Sequence, residues 1–294
     1  VTMNIFLLTA TLGDKLDSVF YNFDMLIFGF FGGIQSTFMT GVAKFFTAFG
    51  DENFIIPILI LGIILCFFKK SRKYGFSIIF AVIIGTLLTN VIFKPMFLRI
   101  RPYNTLQNVG DYMAWYTAAG RLSESDYSFP SGHTTGAFEL ATALSICFAK
   151  DKKKALSIIL PIIAIGTMCS RIYLMVHYPT DVLGGMLIGI FAGVMGYLLA
   201  TAVCKIKVLD KIDAQKLFKK INAKAGTAVI IIAVIGIFCY SYIPAINEGN
   251  AQVCAYNEEY DCLNAARVND EKYPPIDGKE YCKIHWKQLS GESK

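Results

Sequence analysis

The chain has 294 residues, of which 54% are hydrophobic and only 17% charged, and its mean hydropathy is +0.49. Soluble domains run near about 45–50% apolar and about 25% charged, so an ordinary soluble protein is excluded and several membrane crossings are expected. The net charge of +6 does not point to nucleic acid. The lysines gather in three short loops between apolar runs, at residues 69–73, 150–154 and 205–224, rather than on one basic face.

Taken in chain order, residues 3–12 form no convincing cleavable signal, being short, without a basic start and followed by Asp14 and Asp17. Residues 1–52 are rich in Phe and Gly but carry Asp24, Gln35 and Lys44. They fit amphipathic helices lying in the membrane interface, with one extra span as the alternative. Six apolar runs follow, at 53–68, 74–93, 133–149, 155–176, 182–204 and 225–243. The expectation is an all-α, polytopic bundle of about six transmembrane helices with an interfacial N-terminal helical segment.

The parts are then an N-terminal segment (1–52), a membrane core (53–204), a basic amphipathic linker (205–224), an additional span (225–244) and a polar tail (245–294). If the three basic loops are cytoplasmic, residues 94–132, the turn at 177–181 and the tail fall on the other face. Cys66, Cys147, Cys169, Cys204 and Cys239 read as small core residues, whereas Cys254, Cys262 and Cys282 lie in the polar tail, where two can pair. Gly185, Gly189 and Gly193 form a small-residue stripe, read as helix packing within one chain.

Ionisable groups within such sequence cost at least about 2.5–3.5 kcal/mol each on insertion scales. Three clusters of them stand at span ends on the expected outer side. The stretch "KPMFLRIRP" holds Lys94, Arg99 and Arg101, "FPSGHTT" leads through Ser131 and Gly132 into a helix carrying His133, and "SRIYLMVHYPTD" holds Arg171, His177 and Asp181. Taken alone, Arg99 fits a flanking residue that snorkels to the interface. Jointly the clusters give cations, two imidazoles, a carboxylate and a helix N-terminus, which suit an anion site with acid–base capability. Asn90 and Glu139 are expected to hold structural places within the bundle, and Tyr112, Trp115 and Tyr116 to serve as an interfacial lid or anchor.

These residues resemble a known signature. K-x6-RP at 94–102, PSGH at 130–133 and SR-x5-H-x3-D at 170–181 are similar to the three motifs of the type 2 phosphatidic acid phosphatase superfamily, complete and in order. The resemblance spans roughly residues 53–204 and implies a phosphatase acting on a lipid phosphate or pyrophosphate, such as undecaprenyl pyrophosphate, phosphatidic acid or phosphatidylglycerophosphate. It implies His177 as nucleophile, Asp181 as its orienting partner and His133 as general acid. Lys94, Arg101, Ser131, Gly132 and Arg171 would bind the phosphate, with no metal or other cofactor. The partners implied are the lipid substrate and membrane lipids, with no nucleic acid. A lipid phosphotransferase using the same phosphohistidine, or a non-enzymatic anion channel or transporter, are the alternatives.

Overall fold

The computed structural model describes residues 11–214, except 110, 123 and 125, and residues 223–247. Among these residues every regular element is helical. The helices are α1 (Leu12–Gly33), α2 (Thr37–Thr47), α3 (Glu52–Cys66), α4 (Arg72–Thr86), α5 (Lys94–Phe97), α6 (Pro102–Thr105), α7 (Tyr112–Ala118), α8 (Gly132–Lys150), α9 (Lys154–Tyr173), α10 (Pro179–Val203) and α11 (Ala223–Asn247). A π-helical stretch, Leu87–Phe93, joins α4 to α5, and a 3₁₀ turn covers Lys207–Lys211.

Among the described residues five segments are long and apolar enough to cross a membrane: Thr37–Cys66, Arg72–Thr105, Lys154–Tyr173, Pro179–Val203 and Ala225–Ile246. The chain is therefore a multi-pass membrane protein. Helix α8 is absent from this set although it lies in the same bundle, because its buried face carries Thr134, Thr135 and Glu139. The first apolar segment begins at Thr37, within the stretch assigned from sequence to the interface.

Capping chemistry fixes where several helices start. The Thr11 hydroxyl accepts from the Asp14 N–H at 3.0 Å, and the Asp14 carboxylate accepts from the Thr11 N–H at 2.8 Å. Asp51 caps α3 by accepting from the Asn53 N–H, and Ser131 caps α8. At α10 the Asp181 carboxylate reaches back to the Tyr178 N–H at 2.9 Å. Several of the polar residues singled out by sequence thus double as helix starts.

Helix α10 packs against α8 and α4 at the centre of the bundle, with α9 on α8 and α3 on α4. The glycine stripe makes the closest approach possible. A Cβ on Gly185 would stand 2.6 Å from the Ser131 carbonyl oxygen, on Gly189 2.7 Å from that of Thr135, and on Gly193 2.8 Å from that of Glu139. The stripe is spent on the α8–α10 contact within the chain.

The basic loops meet at one end of the bundle. Lys73 bonds the Tyr197 hydroxyl, Lys153 lies 5.6 Å over the Tyr74 ring, and Asp213 accepts from the Lys69 N–H. Residues 94–102, 128–133 and 171–181 lie at the opposite end of the same helices. There α1 contacts the bundle through Asp17, Asp24, Phe28 and Gly32, the last packed under Trp115. Helix α11 packs on α3 and α2, where Phe238 stacks on Phe49 at 4.5 Å.

Some expectations are corrected. Tyr112 and Tyr116 are buried, and their hydroxyls donate to the Met175 and Leu122 carbonyls at 2.5 and 2.7 Å, so this segment props the 174–178 turn and is no lid. Asn90 is exposed and is not packed within the bundle. Cys239 is exposed, unlike buried Cys147. The tail cysteines and residues 215–222 of the linker lie outside the described residues.

Gly189→Ala is expected to lower thermal stability in detergent by about 1–3 kcal/mol through overpacking of α8 on α10. Gly41→Ala, whose added Cβ meets nothing within 4 Å, is expected to be neutral or stabilising by about 0.5–1 kcal/mol. Equal destabilisation by both would contradict the packing described.

Candidate active site

Lys94 stands where the π-helical stretch ends and α5 begins. Extra-wide turns of this kind shift the register of the following side chains and are frequent at functional sites. Its ammonium lies 3.7 Å from where a Cβ on Gly132 would sit, so it faces the N-terminus of α8. Arg101 follows the left-handed Leu98 and precedes Pro102, which starts α6. Arg171 projects from the last turn of α9. All three cations are at least nine-tenths buried.

Buried cations need partners. The Arg101 guanidinium donates to the Val176 and Asp126 carbonyls, both at 3.0 Å, and to His177 Nε2 at 2.9 Å. It also pairs with the carboxylates of Asp126 and Glu124, the latter at 2.5 Å. Lys94 pairs with Asp126. Arg171 donates to the Thr47 hydroxyl at 2.8 Å and pairs with Glu124. Burial works against the charge on Asp126, but Arg101 and Lys94 outweigh it and hold its carboxyl at about 2.

His177 is fully buried. Because a guanidinium can only donate, the bond from Arg101 makes His177 Nε2 an acceptor. Its Nδ1 faces Asp181 Oδ2 at 3.4 Å and the Ser128 hydroxyl at 3.5 Å. The geometry is that of a neutral imidazole with its proton on Nδ1 and its lone pair on Nε2. Burial and the adjacent Arg101 hold the imidazolium well below its ordinary range, against the pull of Asp181. Asp181 Oδ2 is itself fixed by the Ser128 hydroxyl at 2.5 Å and the Tyr178 N–H at 2.9 Å.

His133 lies in the first turn of α8, its Nε2 3.5 Å from Asp51 and its Nδ1 3.8 Å from Glu124 Oε1. Glu124 Oε2 is 3.7 Å from His177 Nε2. One carboxylate therefore stands within reach of both imidazoles, Arg101 and Arg171. Ser131 is buried. Its hydroxyl accepts from the Thr134 N–H and hydroxyl, and its N–H donates to the Asp181 carbonyl at 3.1 Å, tying the α8 start to α10.

The structure thus brings Lys94, Arg101, Ser131, Gly132, His133, Arg171, His177 and Asp181 to one end of the bundle. It also contains partners that the motifs do not include: Glu124, Asp126, Ser128 and Asp51. The run Glu124–Asp126 directly upstream of the α8 cap was a visible signal, since acids beside a cationic cluster invite pairing. Arg99 corrects its sequence assignment outright. It does not snorkel, but is buried among carboxylates.

A family model described as the PAP2 superfamily matches residues 72–203. A lipid A 4'-phosphatase of Bacteroides thetaiotaomicron is 32% identical over 58% of this chain and 74% of its own length. Phosphatidylglycerophosphatase B of Bacillus subtilis is 32% identical over 52% of this chain and 68% of its own. An undecaprenyl-diphosphatase of Sulfolobus acidocaldarius is 29% identical over 57% and 73%. Among solved structures, a transmembrane PAP2 type phosphatidylglycerolphosphate phosphatase from Bacillus subtilis superposes with a TM-score of 0.52 and 26% identity, over 67% of this chain and 92% of that one. With the motifs gathered at one site and relatives matched along most of their length, the chain belongs to the PAP2 superfamily.

Proposed function

We propose that this protein is a membrane phosphatase that hydrolyses the phosphomonoester or pyrophosphate headgroup of a lipid through a phosphohistidine on His177. The observation that carries this is the position of Glu124. A single anionic group there touches Arg101, Arg171 and both imidazoles, so a phosphoryl group in its place would meet nucleophile, acid and cations together.

The chemistry follows from the geometry. Arg101 turns its N–H from His177 Nε2 to a phosphoryl oxygen, the freed lone pair attacks phosphorus, and the bond from phosphorus to the leaving oxygen breaks. His133 delivers a proton to that oxygen. Asp181, facing Nδ1, stabilises the positive charge that develops on the imidazole. Lys94, Arg101 and Arg171 neutralise the phosphoryl oxygens as charge builds in the transition state. The α8 N-terminus at Gly132, capped by Ser131, adds its dipole. Water then attacks phosphorus, losing its proton to His133, the bond from phosphorus to Nε2 breaks, phosphate is released and neutral His177 is regenerated. The side chains supply the positive charge, so the proposed steps call on no metal.

Phosphoryl oxygens must displace Glu124 and Asp126 from the cations. The lipid tail would stay between helices while the headgroup enters from the membrane surface. With the basic loops at the far end of the bundle taken as cytoplasmic, the site opens on the extracytoplasmic face. Substrates of the kinds named in the relatives, phosphatidylglycerophosphate, undecaprenyl diphosphate and lipid A, share the headgroup chemistry this site would bind.

His177→Ala is expected to abolish phosphate release from such lipids in detergent, at least about 10³-fold, while the protein stays monodisperse. Brief reaction with ³²P-labelled lipid should leave an acid-labile label on the wild type and none on the variant. Retained turnover in His177→Ala would reject the assignment, and transfer of label to an added lipid alcohol in preference to water would identify a phosphotransferase. Chelators should leave turnover unchanged, and strict metal dependence would contradict the mechanism. Because the nucleophile must be neutral and its imidazolium is disfavoured, the acidic limb of kcat/KM should lie below the ordinary histidine value of 6.5. Asp126→Asn removes the carboxylate from Lys94 and leaves Arg101 with the Glu124 carboxylate only, and should lower KM about two- to tenfold; a raised KM with unchanged kcat would contradict that competition.

A further inference from the structure

Arg99 occupies one of the variable positions of the K-x6-RP motif, yet its side chain is completely enclosed. Its Nη1 donates to Asp181 Oδ1 at 2.6 Å and to the Thr180 hydroxyl at 2.7 Å. Nη2 donates to Asp24 Oδ2 at 2.9 Å, and Nε donates to Asp17 Oδ1 at 2.8 Å. The guanidinium also lies 3.8 Å over the Tyr178 ring. Asp24 accepts from the Thr180 N–H and hydroxyl, both at 2.9 Å, so it grips the start of α10 as well. Helix α1 comes so close that a Cβ on Gly13 would stand 2.5 Å from Arg99 Cα.

Three carboxylates therefore converge on one cation. Anchoring α1 would need only one of them. The third, Asp181, divides its oxygens: Oδ1 takes Arg99, and Oδ2 faces His177 Nδ1. A cation paired with Asp181 alone would draw the carboxylate's charge away from the imidazole. Asp17 and Asp24 compete for that cation and leave Asp181 more of its negative charge.

We propose that Arg99, held by Asp24 and Asp17 of α1, is a positioning residue that fixes the Asp181 carboxylate against His177 and sets the negative charge it presents to the imidazole. This rests on His177 being the nucleophile. His177 is faced by Arg101, by Arg171 from α9, by Glu124 and Ser128 from the segment before α8, and by Asp181 from α10, while His133 shares Glu124. Asp17, Asp24 and Arg99 act on it from behind Asp181. Their influence can be told from a packing role because the acids and the base pull in opposite directions.

The test uses the full chain in detergent, assayed on whichever of phosphatidic acid, phosphatidylglycerophosphate or a polyprenyl diphosphate turns over fastest. Asp24→Asn lets Arg99 lean on Asp181 and disfavours the imidazolium. The acidic limb of kcat/KM should move to lower pH, and kcat should fall at least about fivefold with KM held within about twofold. Arg99→Gln removes the cation, and the limb should move to higher pH. Arg99→Lys keeps the charge without the fork and should return the limb towards the wild type, with only part of kcat recovered. Shifts of the same sign in Asp24→Asn and Arg99→Gln, or losses in KM alone, overturn the proposal. Should Arg99→Gln not yield folded protein, wild-type kcat and pH profile in Asp24→Asn overturn it by themselves. Silent Arg99 and Asp24 variants beside an inactive His177→Ala defeat this inference only, whereas an active His177→Ala defeats the proposed nucleophile.

Discussion

Charge withdrawn from water must meet countercharge, and the active end of this bundle is arranged around that constraint. Lys94, Arg99, Arg101 and Arg171 are each at least nine-tenths buried. An isolated buried cation is costly enough to lose its proton or reject its site. Each of these is instead met by acids from distant stretches of chain: Asp126 and Glu124 from the segment before α8, Asp17 and Asp24 from α1, and Asp181 from α10. Segments that share no sequence neighbourhood are thereby drawn to one point.

The acids fall into two groups with different fates. Asp24 and Asp181 beside Arg99 are enclosed and bond backbone as well as side chains, so they form part of the frame, while Asp17 adds its bond to Arg99 from the half-buried edge. Asp126 is about half exposed, with 46% of its side chain accessible, and together with Glu124 it occupies the cations that a phosphoryl group would need. Framework charge is locked, while under the proposed mechanism site charge gives way to a ligand of like sign. The difference follows from burial and from how many fixed donors each carboxylate accepts.

Much of this was legible in the sequence, for identifiable reasons. Long apolar runs and clustered lysines depend on local composition, so the bundle and its two polar ends could be read directly. The three motifs carry residues whose charge is expensive in such surroundings, and they do meet. Arg99 was misread because its partners Asp17 and Asp24 lie some 75 and more positions away; a lone arginine near a span end has the same local pattern whether it snorkels or is enclosed. Glu124 and Asp126 were passed over because a polar loop normally holds acids facing solvent. Tyr112 and Tyr116 resembled interfacial anchors, and only the turn above them, which accepts the Tyr112 hydroxyl at Met175, shows why they are buried. Helix α8 was recognised as part of the bundle although polar groups dilute its apolar pattern, because the run at 133–149 ends at the lysine cluster of 150–154.

The tight seat of Gly13 on Arg99 bears on how the fold can be taken apart. The stretch matched by the superfamily model, residues 72–203, includes the arginine but neither of the α1 acids that help to balance it. Cut out as a cassette or grafted into a relative, that stretch would leave the Arg99 guanidinium to Asp181 alone, the carboxylate that faces His177. The unit that balances this charge thus reaches back to α1.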